Sequence, residues 1–268
     1  MSKLILIFSD LDGTMLSHLD YSYGELKTII KELGKEKDHY VIIPCTSKTE
    51  IEVLSFGKNV GLSGPFIVEN GGKIITAQDG VFSNFRDHTT VSSSKIRHLM
   101  DSFPLHVREA IRCFHELSAE EIGILTGLNK VDANNAKIRN HSVVFALKGG
   151  NGILTEIKNM LKNTNYKLEE GGRFFHIIGK RDKAKAAQEL IQWIVQTKLF
   201  ANIEVWALGD APNDTDLLKL ADKSAIIKNE KISQENIISR VPSAYVSNDS
   251  APKGWQESLK ILKNYNQA

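Results

Sequence analysis

The chain has 268 residues, of which 34 are Lys or Arg and 32 are Asp or Glu, giving a formal net charge of +2, and 41% are hydrophobic. This composition excludes disordered, collagen-like and membrane-embedded classes, and the balanced charge gives no support for a nucleic-acid partner. Two cysteines are too few for a disulfide framework or a zinc ligand set, so we expect a protein of the reducing cytoplasm.

Alternating strands and helices are predicted at the start of the chain. Leu4–Phe8 is a continuous apolar run, typical of a strand buried on both faces of a parallel sheet and too short to cross a membrane. The predicted elements that follow are a helix over Leu26–Leu33, a strand at Val41–Ile43, a helix around Glu50–Phe56, a strand at Phe66–Val68, and a hairpin of Ile74–Thr76 and Val81–Phe85 across Asp79-Gly80.

In the middle of the chain, residues 84–179, the alternation of strands and helices is less regular, and this segment contains six of the eight histidines. Ser118-Ala119-Glu120-Glu121 is a capping box that predicts the start of a helix. The other predicted elements are a strand at His141–Leu147, a helix over Ile153–Leu161, and a hairpin of Tyr166–Glu169 and Arg173–Ile178 across Gly171-Gly172. This segment is large enough to form a layer of its own.

The strand–helix alternation then resumes. Asp182 is the predicted N-cap of a helix whose apolar face carries Ala187, Leu190, Ile191, Ile194 and Val195. After it we predict a strand at Val205–Leu208, a helix over Asp214–Ala221, short strands at Ala225–Ile227 and Ala244–Val246, and a helix over Trp255–Tyr265. The predicted fold is therefore α/β: a doubly wound, Rossmann-like parallel-sheet core of residues 1–83 and 180–268, split by an inserted α/β domain of residues 84–179.

Small and acidic residues follow the predicted core strands, where an open parallel sheet binds its ligands. Asp10 and Asp12, after the first strand, project from the same side if the strand geometry persists, and two such close carboxylates need a cation or a shared proton. Gly13 lets the chain turn away from them. A solvated Asp-Gly turn is the alternative, whereas an EF-hand is excluded because Gly13 stands at loop position 4 and Tyr21 at the glutamate position.

A second acidic cluster, Gly209 to Asp214, follows another predicted strand. Alone it is equally typical of a helix cap, but together with Asp10 and Asp12 it favours an oxygen-ligand site that suits Mg²⁺. Thr46, Ser47 and Lys48 offer donors for a phosphate, although any strand end can carry such residues. Lys183 opposes the dipole of the helix it begins, as expected if it serves an anion. No P-loop, serine-hydrolase or zincin motif occurs.

These segments resemble the four motifs of the haloacid dehalogenase-like phosphatase superfamily, which match Asp10–Thr14, Thr46 or Ser47, Lys183 and Gly209–Asp214 in the same order. The resemblance covers the whole chain and identifies the inserted domain as a cap. Within the superfamily, further segments are most similar to phosphatases of mannosyl-3-phosphoglycerate: Thr46-Ser47-Lys48-Thr49, Glu69-Asn70-Gly71-Gly72, Gly172-Arg173-Phe174-Phe175-His176 and Pro252-Lys253-Gly254-Trp255. One departure is Ser142-Val143-Val144, where these phosphatases often carry Ser-Glu-Pro.

The resemblance implies a mechanism and a set of site residues. Asp10 is the implied nucleophile, Asp12 the acid and base, and Lys183 the catalytic cation. The implied ligands of the cofactor Mg²⁺ are Asp10, Asp12 through its carbonyl, Asp210 and Asp214. Implied phosphate contacts are Thr46, Ser47 and Asn213, and implied substrate contacts are Lys48, Asn70, Gly71, Arg139, Ser142, Arg173 and His176.

The expected partner is a small phosphorylated sugar–glycerate substrate, with no nucleic acid and no membrane, bound by a monomer or a homodimer. Residues 84–179 carry 13 Lys and Arg against 10 Asp and Glu, a local excess of positive charge that suits an anionic ester. Arg139 and Arg173 are candidate carboxylate forks, with a solvated salt bridge as the alternative for each, and His176 has a plain structural role as its alternative. Other open functions are a glucosyl-3-phosphoglycerate or general sugar phosphatase, a phosphomutase, and a non-enzymatic metal-binding module.

Overall fold

The computed structural model describes residues 3–89, 91–148, 150, 152–171 and 174–264. Its strands are β1 Leu4–Ser9, β2 His39–Pro44, β3 Phe66–Val68, β4 Lys73–Ile75, β5 Ile111–Cys113, β6 Val143–Leu147, β7 Tyr166–Glu170, β8 Phe175–Gly179, β9 Ile203–Gly209, β10 Lys223–Lys228 and β11 Tyr245–Ser250. Its α-helices are α1 Leu26–Leu33, α2 Glu50–Val60, α3 Ser93–Asp101, α4 Leu105–Glu109, α5 Ala119–Thr126, α6 Lys130–Lys137, α7 Gly152–Leu161, α8 Lys183–Thr197, α9 Thr215–Leu220, α10 Glu235–Arg240 and α11 Lys253–Asn264.

Five strands form a parallel sheet in the order β11-β10-β9-β1-β2. The apolar side chains of β1 alternate between its two faces, as the pleat of a strand requires. Leu4, Leu6 and Phe8 pack with the buried residues of α8 and α9, whereas Ile5 and Ile7 pack with those of α1, α2 and α11. Both faces of the sheet are therefore covered by helices, and the predicted doubly wound α/β class is confirmed.

The register of this sheet aligns the strand ends. Ser9, the last residue of β1, lies opposite Pro44 of β2 on one side and Leu208 of β9 on the other. The residues that follow these strands therefore meet at one edge of the sheet, the carboxyl edge on which ligands of such folds bind.

The inserted segment has its own antiparallel sheet, in the order β5-β6-β8-β7. One apolar cluster joins α3, α4 and α7 to this sheet, and a second joins α5 and α6 to Phe114 and Val144. The predicted capping box is present, since the Ser118 hydroxyl accepts a hydrogen bond from Glu121 N and the Glu121 carboxylate accepts one from Ser118 N. Short 3₁₀ turns occur at Glu69–Gly71, Phe114–Glu116 and Pro212–Asp214.

The predicted hairpin across Asp79-Gly80 is wrong. β4 instead pairs with β3 across the Glu69–Gly71 turn, and residues 81–84 form turns. The alternation of apolar residues there has another cause, because Phe82 and Phe85 are buried and their rings lie 5.7 and 5.9 Å from that of Trp193 in α8. A bridge between Cys45, the residue after β2, and Ile67 joins β3 to the end of the parallel sheet.

Other differences are smaller. Helices α3, α4, α6 and α10 and strand β5 were not predicted, because their apolar positions are few. Val195, placed on the apolar face of α8, is 55% exposed. Gly172, Arg173 and Tyr265, which belong to predicted elements, lie outside the described residues. No helix in the described ranges has the length and apolar character needed to cross a bilayer.

Candidate active site

Three carboxylates meet at the carboxyl edge of the parallel sheet. Asp10 directly follows β1 and donates its N–H to Leu208 O at 3.0 Å, which holds it beside β9. Asp210 directly follows β9, and Asp214 ends the short turn after it. One carboxylate oxygen from each of the three lies within 4.8 Å of the others, and all three residues are buried. The structure thus brings together three of the four predicted acidic residues, without the carboxylate of Asp12.

Lys183 joins two of these carboxylates. It is the first residue of α8, is 2% exposed, and its Nζ lies 2.5 Å from Asp10 Oδ1 and 2.7 Å from Asp214 Oδ1. Burial raises the pKa of Asp10 well above its ordinary value, against the pull of the Lys183 ammonium. Burial disfavours the ammonium as well, yet Asp10 and Asp214 hold the pKa of Lys183 above its usual range. The lysine therefore stays charged inside the cluster.

Asp210 is oriented by neighbours that the sequence reasoning missed. Thr14 Oγ1 donates to Asp210 Oδ1 at 3.0 Å, and Asn229 Nδ2 donates to Oδ2 at 2.7 Å. His18 Nε2 lies 3.1 Å from the same Oδ2, and Gln234 Nε2 donates to the Asp210 carbonyl at 2.7 Å. Asn229 directly follows β10, so the rule that ligands gather at strand ends could have found it.

Asp12 faces the site from the loop after β1. Its Oδ2 lies 3.2 Å from Lys48 Nζ, whereas its Oδ1 is buried without a hydrogen-bond partner. Lys48 Nζ also lies 3.5 Å from Glu52 and 4.9 Å from the centroid of the Tyr21 ring. Although burial lowers it, the pKa of Lys48 is raised overall by Asp12 and Glu52, so the lysine is a cation next to Asp12.

The predicted phosphate contacts differ in their surroundings. Thr46 is completely buried, and its Oγ1 accepts a hydrogen bond from Lys48 N at 3.1 Å. Ser47 and Asn213 both line a cavity between the sheet edge and the inserted segment, and Asn213 Oδ1 is buried without a partner. Asn213 and Asp12 thus each carry an unpaired buried oxygen beside the carboxylate cluster.

A cavity of about 330 Å³ lies between the sheet edge and the inserted segment. From the sheet side it is lined by polar residues, among them Asp10, Asp12, Ser47, Lys48, Asp210 and Asn213. From the inserted segment it is lined by Phe114, Leu128, Arg139, Val144, Phe174 and His176, among others. The cavity therefore has a charged floor and, among the described residues of the inserted segment, a mostly apolar roof that carries Arg139 and His176.

Arg139 and His176 each present a buried nitrogen without a partner, Nε and Nδ1 respectively. His176 lies opposite Val144 in the antiparallel sheet of the inserted segment, so the two side chains share the face that lines the cavity. Burial lowers the pKa of His176 to about 3, and the positive charges of Arg139 and Lys183 act in the same direction. His176 is therefore a neutral imidazole.

Three predicted substrate contacts, Asn70, Gly71 and Ser142, do not line the cavity in the described part of the chain. Asn70 is buried with no partner for its side-chain oxygen or nitrogen. Gly71 has φ +96°, and a Cβ there would lie 2.3 Å from the backbone of Asp182. Ser142 Oγ is hydrogen-bonded to Glu69 and Arg139. Arg173 lies outside the described residues.

The carboxylate cluster fits a divalent cation. Asp10, Asp210 and Asp214 bring three carboxyl groups, against which the described residues set the one ammonium of Lys183, so ionisation of all three would leave the buried cluster with excess negative charge. Carboxylate oxygens are also the ligands that Mg²⁺ prefers. The site thus has both the charge and the donor atoms for Mg²⁺.

The chain is similar to known hydrolases over most of its length. The family model for haloacid dehalogenase-like hydrolases matches residues 7–241. Two curated relatives, from Methanococcoides burtonii and Persephonella marina, are each named glucosyl-3-phosphoglycerate/mannosyl-3-phosphoglycerate phosphatase. Each is 29% identical over 97% of this chain, which covers 98% of the first relative and 97% of the second.

Solved structures share the fold. The sucrose-phosphatase of Synechocystis sp., solved with sucrose and phosphate, has a TM-score of 0.66 at 17% identity, with 98% of this chain and 99% of that chain covered. A haloacid dehalogenase-like hydrolase from Bacteroides thetaiotaomicron has a TM-score of 0.66 at 16% identity, with 98% and 100% covered. At these identities the likeness concerns the fold.

Proposed function

The chain belongs to the haloacid dehalogenase-like hydrolase family, and from that membership we propose that it is a Mg²⁺-dependent phosphatase releasing phosphate from mannosyl-3-phosphoglycerate. The two curated relatives carry the enzyme class and this substrate in their names, together with the glucosyl ester. The single observation that carries the proposal is the buried cluster of Asp10, Asp210, Asp214 and Lys183 at the floor of a cavity. In this proposal, residues 84–179 form a cap over a catalytic core of residues 1–83 and 180–268.

The reaction we propose has two steps, both built on the aspartates after β1. Asp10 attacks the phosphorus atom, so that a bond forms from its carboxylate oxygen and the bond from phosphorus to the glycerate oxygen breaks. Asp12, which lines the same cavity, gives its proton to the departing alkoxide. Asp12 then takes a proton from the water that hydrolyses the aspartyl-phosphate, releasing phosphate and restoring Asp10.

Positive charge near the phosphoryl group supports this sequence of steps. Lys183, already 2.5 Å from Asp10, neutralises the oxygens that gain charge at the transition state. Asp10, the carbonyl of Asp12, Asp210 and Asp214 would hold Mg²⁺, which when bound supplies further positive charge to those oxygens. Thr46, Ser47 and Asn213 are the proposed phosphate contacts.

The remainder of the substrate meets the cap. Arg139 is the proposed partner of the glycerate carboxylate, because its guanidinium lines the cavity and its Nε has no partner. The neutral His176 can exchange hydrogen bonds with sugar hydroxyls, and Lys48 adds charge from the core side. Asn70, Gly71, Ser142 and Arg173 remain proposed contacts from the family resemblance.

A panel of phosphate esters tests the function. Phosphate release and product identity are measured with Mg²⁺ for mannosyl-3-phosphoglycerate, glucosyl-3-phosphoglycerate, 3-phosphoglycerate and hexose phosphates. Because hexose phosphates lack the carboxylate, we expect their kcat/KM to be lower by about 100-fold, the loss of one or two charged hydrogen bonds. A flat profile would indicate a general sugar phosphatase, and an isomeric phosphate ester as product would indicate a mutase. The absence of any phosphate release would favour the alternative of a non-enzymatic metal-binding module.

A further inference from the structure

Glu69 is a buried carboxylate outside the catalytic cluster. It begins the turn after β3, and its backbone belongs to the core, where its N–H donates to Lys48 O at 2.9 Å. Its side chain instead accepts three hydrogen bonds from the inserted segment. Oε1 accepts from Asn140 N at 2.9 Å, and Oε2 accepts from His141 N at 3.0 Å and Ser142 Oγ at 2.6 Å. One carboxylate thus ties the start of β6 to the core.

The same contacts continue into the cavity. The Ser142 hydroxyl donates its one proton to Glu69, so its lone pairs are left to accept from Arg139 Nη1 at 3.2 Å. The second proton of that Nη1 goes to Ser47 O at 2.9 Å, on the core loop that lines the cavity. Hydrogen bonds through the Ser142 hydroxyl thus link Glu69 to Arg139.

We propose that Glu69 is a positioning residue for substrate recognition. By way of Ser142 it fixes Arg139 across the boundary between core and cap, so that the guanidinium meets an anionic group of the substrate in one orientation. This inference rests on the proposed function for the identity of the substrate, and on the three-residue chain of hydrogen bonds for its mechanism.

A carboxylate suits this role better than an amide. All three groups that point at Glu69 are donors, and an ionised carboxylate is a pure acceptor. In Glu69→Gln the NH₂ group replaces either Oε1, where it faces Asn140 N, or Oε2, where it faces both His141 N and the Ser142 hydroxyl. At least one hydrogen bond is then lost, although the side chain keeps its shape.

The test compares kinetics of the full chain on mannosyl-3-phosphoglycerate. For Glu69→Gln we expect KM to rise about tenfold while kcat changes less than about threefold, since the variant disturbs substrate binding and leaves the reacting atoms in place. The matched control is Glu156→Gln, an exposed glutamate of the cap whose partner is His106. An unchanged KM in Glu69→Gln, or a loss confined to kcat, would overturn the proposal.

A double-mutant cycle separates positioning from general support of the fold. If Glu69 acts through Arg139, then Glu69→Gln added to Arg139→Ala raises KM by less than about twofold beyond Arg139→Ala alone. Multiplication of the two single effects would overturn the proposal. Should Glu69→Gln fail to fold, Ser142→Ala takes its place in the cycle, because it removes the hydroxyl that links Glu69 to Arg139.

A binding measurement keeps this inference distinct from the proposed function. Calorimetry with 3-phosphoglycerate in EDTA, which removes the Mg²⁺ that the proposed hydrolysis requires, reports the dissociation constant, and Glu69→Gln should weaken binding about tenfold, as the loss of one charged hydrogen bond predicts. If the unaltered chain releases no phosphate but this weakening occurs, the proposed function fails and the positioning role stands. A Glu69→Gln variant that binds 3-phosphoglycerate as tightly as the unaltered chain refutes the positioning role.

Discussion

At the scale of single residues, Lys183 partly neutralises the buried carboxylate cluster in the absence of a metal ion. Its ammonium contacts Asp10 and Asp214, and all three side chains are buried. A buried ion pair adds little net stability over an apolar core, but removal of one partner leaves an uncompensated charge. The lysine is therefore a structural counter-ion as well as a proposed catalytic group.

We predict that Lys183→Ala lowers the free energy of unfolding by about 3–5 kcal/mol, the cost of leaving buried carboxylates unpaired. Chemical denaturation in the presence of EDTA measures it. Lys185→Ala is the matched control, because Lys185 lies two positions later in the same first turn, is exposed, and donates to Lys180 O. A loss below about 1 kcal/mol for Lys183→Ala would show that the cluster does not depend on this cation.

Residues at strand ends were the part of the site that the sequence could predict. Asp10, Asp210 and Asp214 meet because parallel strands end at one edge, which the apolar runs already indicated. His18 could not be predicted in this way, and although Glu69 directly follows the predicted strand Phe66–Val68, its partners could not be predicted either. His18 reaches Asp210 from 192 positions away, and Glu69 finds its donors 71 to 73 positions later, so only the folded chain brings these residues together.

At the scale of elements, the Glu69–Gly71 turn supports the start of α8. Gly71 has φ +96°, and a Cβ at this position would lie 2.3 Å from the backbone C and O atoms of Asp182, the N-cap of α8. Such an approach can be relieved only by movement of backbone. The helix start that carries Lys183 would therefore shift.

We predict that Gly71→Ala lowers both stability and kcat. Strain and overpacking should cost about 3 kcal/mol or more, and displacement of Lys183 should reduce kcat at least about tenfold. Gly61→Ala is the matched control: Gly61 has φ +87°, but nothing lies within 4 Å of its added Cβ, so backbone strain of about 1 kcal/mol is its only expected cost. Equal effects of the two substitutions on kcat would contradict this role of the turn.

Elements were predicted where apolar periodicity was long or caps were explicit, as for β1, α1 and α5. The failed hairpin shows the limit of periodicity. Phe82 and Phe85 look like strand residues in sequence, yet they bury their rings against Trp193, a contact more than 100 positions away. The short helices α4 and α6 lack the apolar stripe that makes a helix visible in sequence.

At the scale of the whole molecule, two separately packed sheets enclose one cavity. Each sheet has its own apolar clusters, and the polar floor of the cavity comes from the parallel sheet while its roof comes from the inserted segment. The nested order of core, insert and core was visible in sequence as a loss and return of strand–helix alternation. The placement of the roof over the core was not visible in the sequence, because it depends on contacts such as those of Arg139 with Ser47 and of Thr49 with Asn135.

The proposed function depends most on Asp10 as the nucleophile of a Mg²⁺-dependent phosphatase. The most direct measurement is phosphate release from mannosyl-3-phosphoglycerate in Mg²⁺ by Asp10→Asn, with circular dichroism to verify its fold and Asp216→Asn, an exposed aspartate on α9, as the matched control. We predict a loss of at least about 1,000-fold in kcat for Asp10→Asn, since an amide cannot form the aspartyl-phosphate, and no loss for the control. Retention of kcat within tenfold by a folded Asp10→Asn would contradict the account.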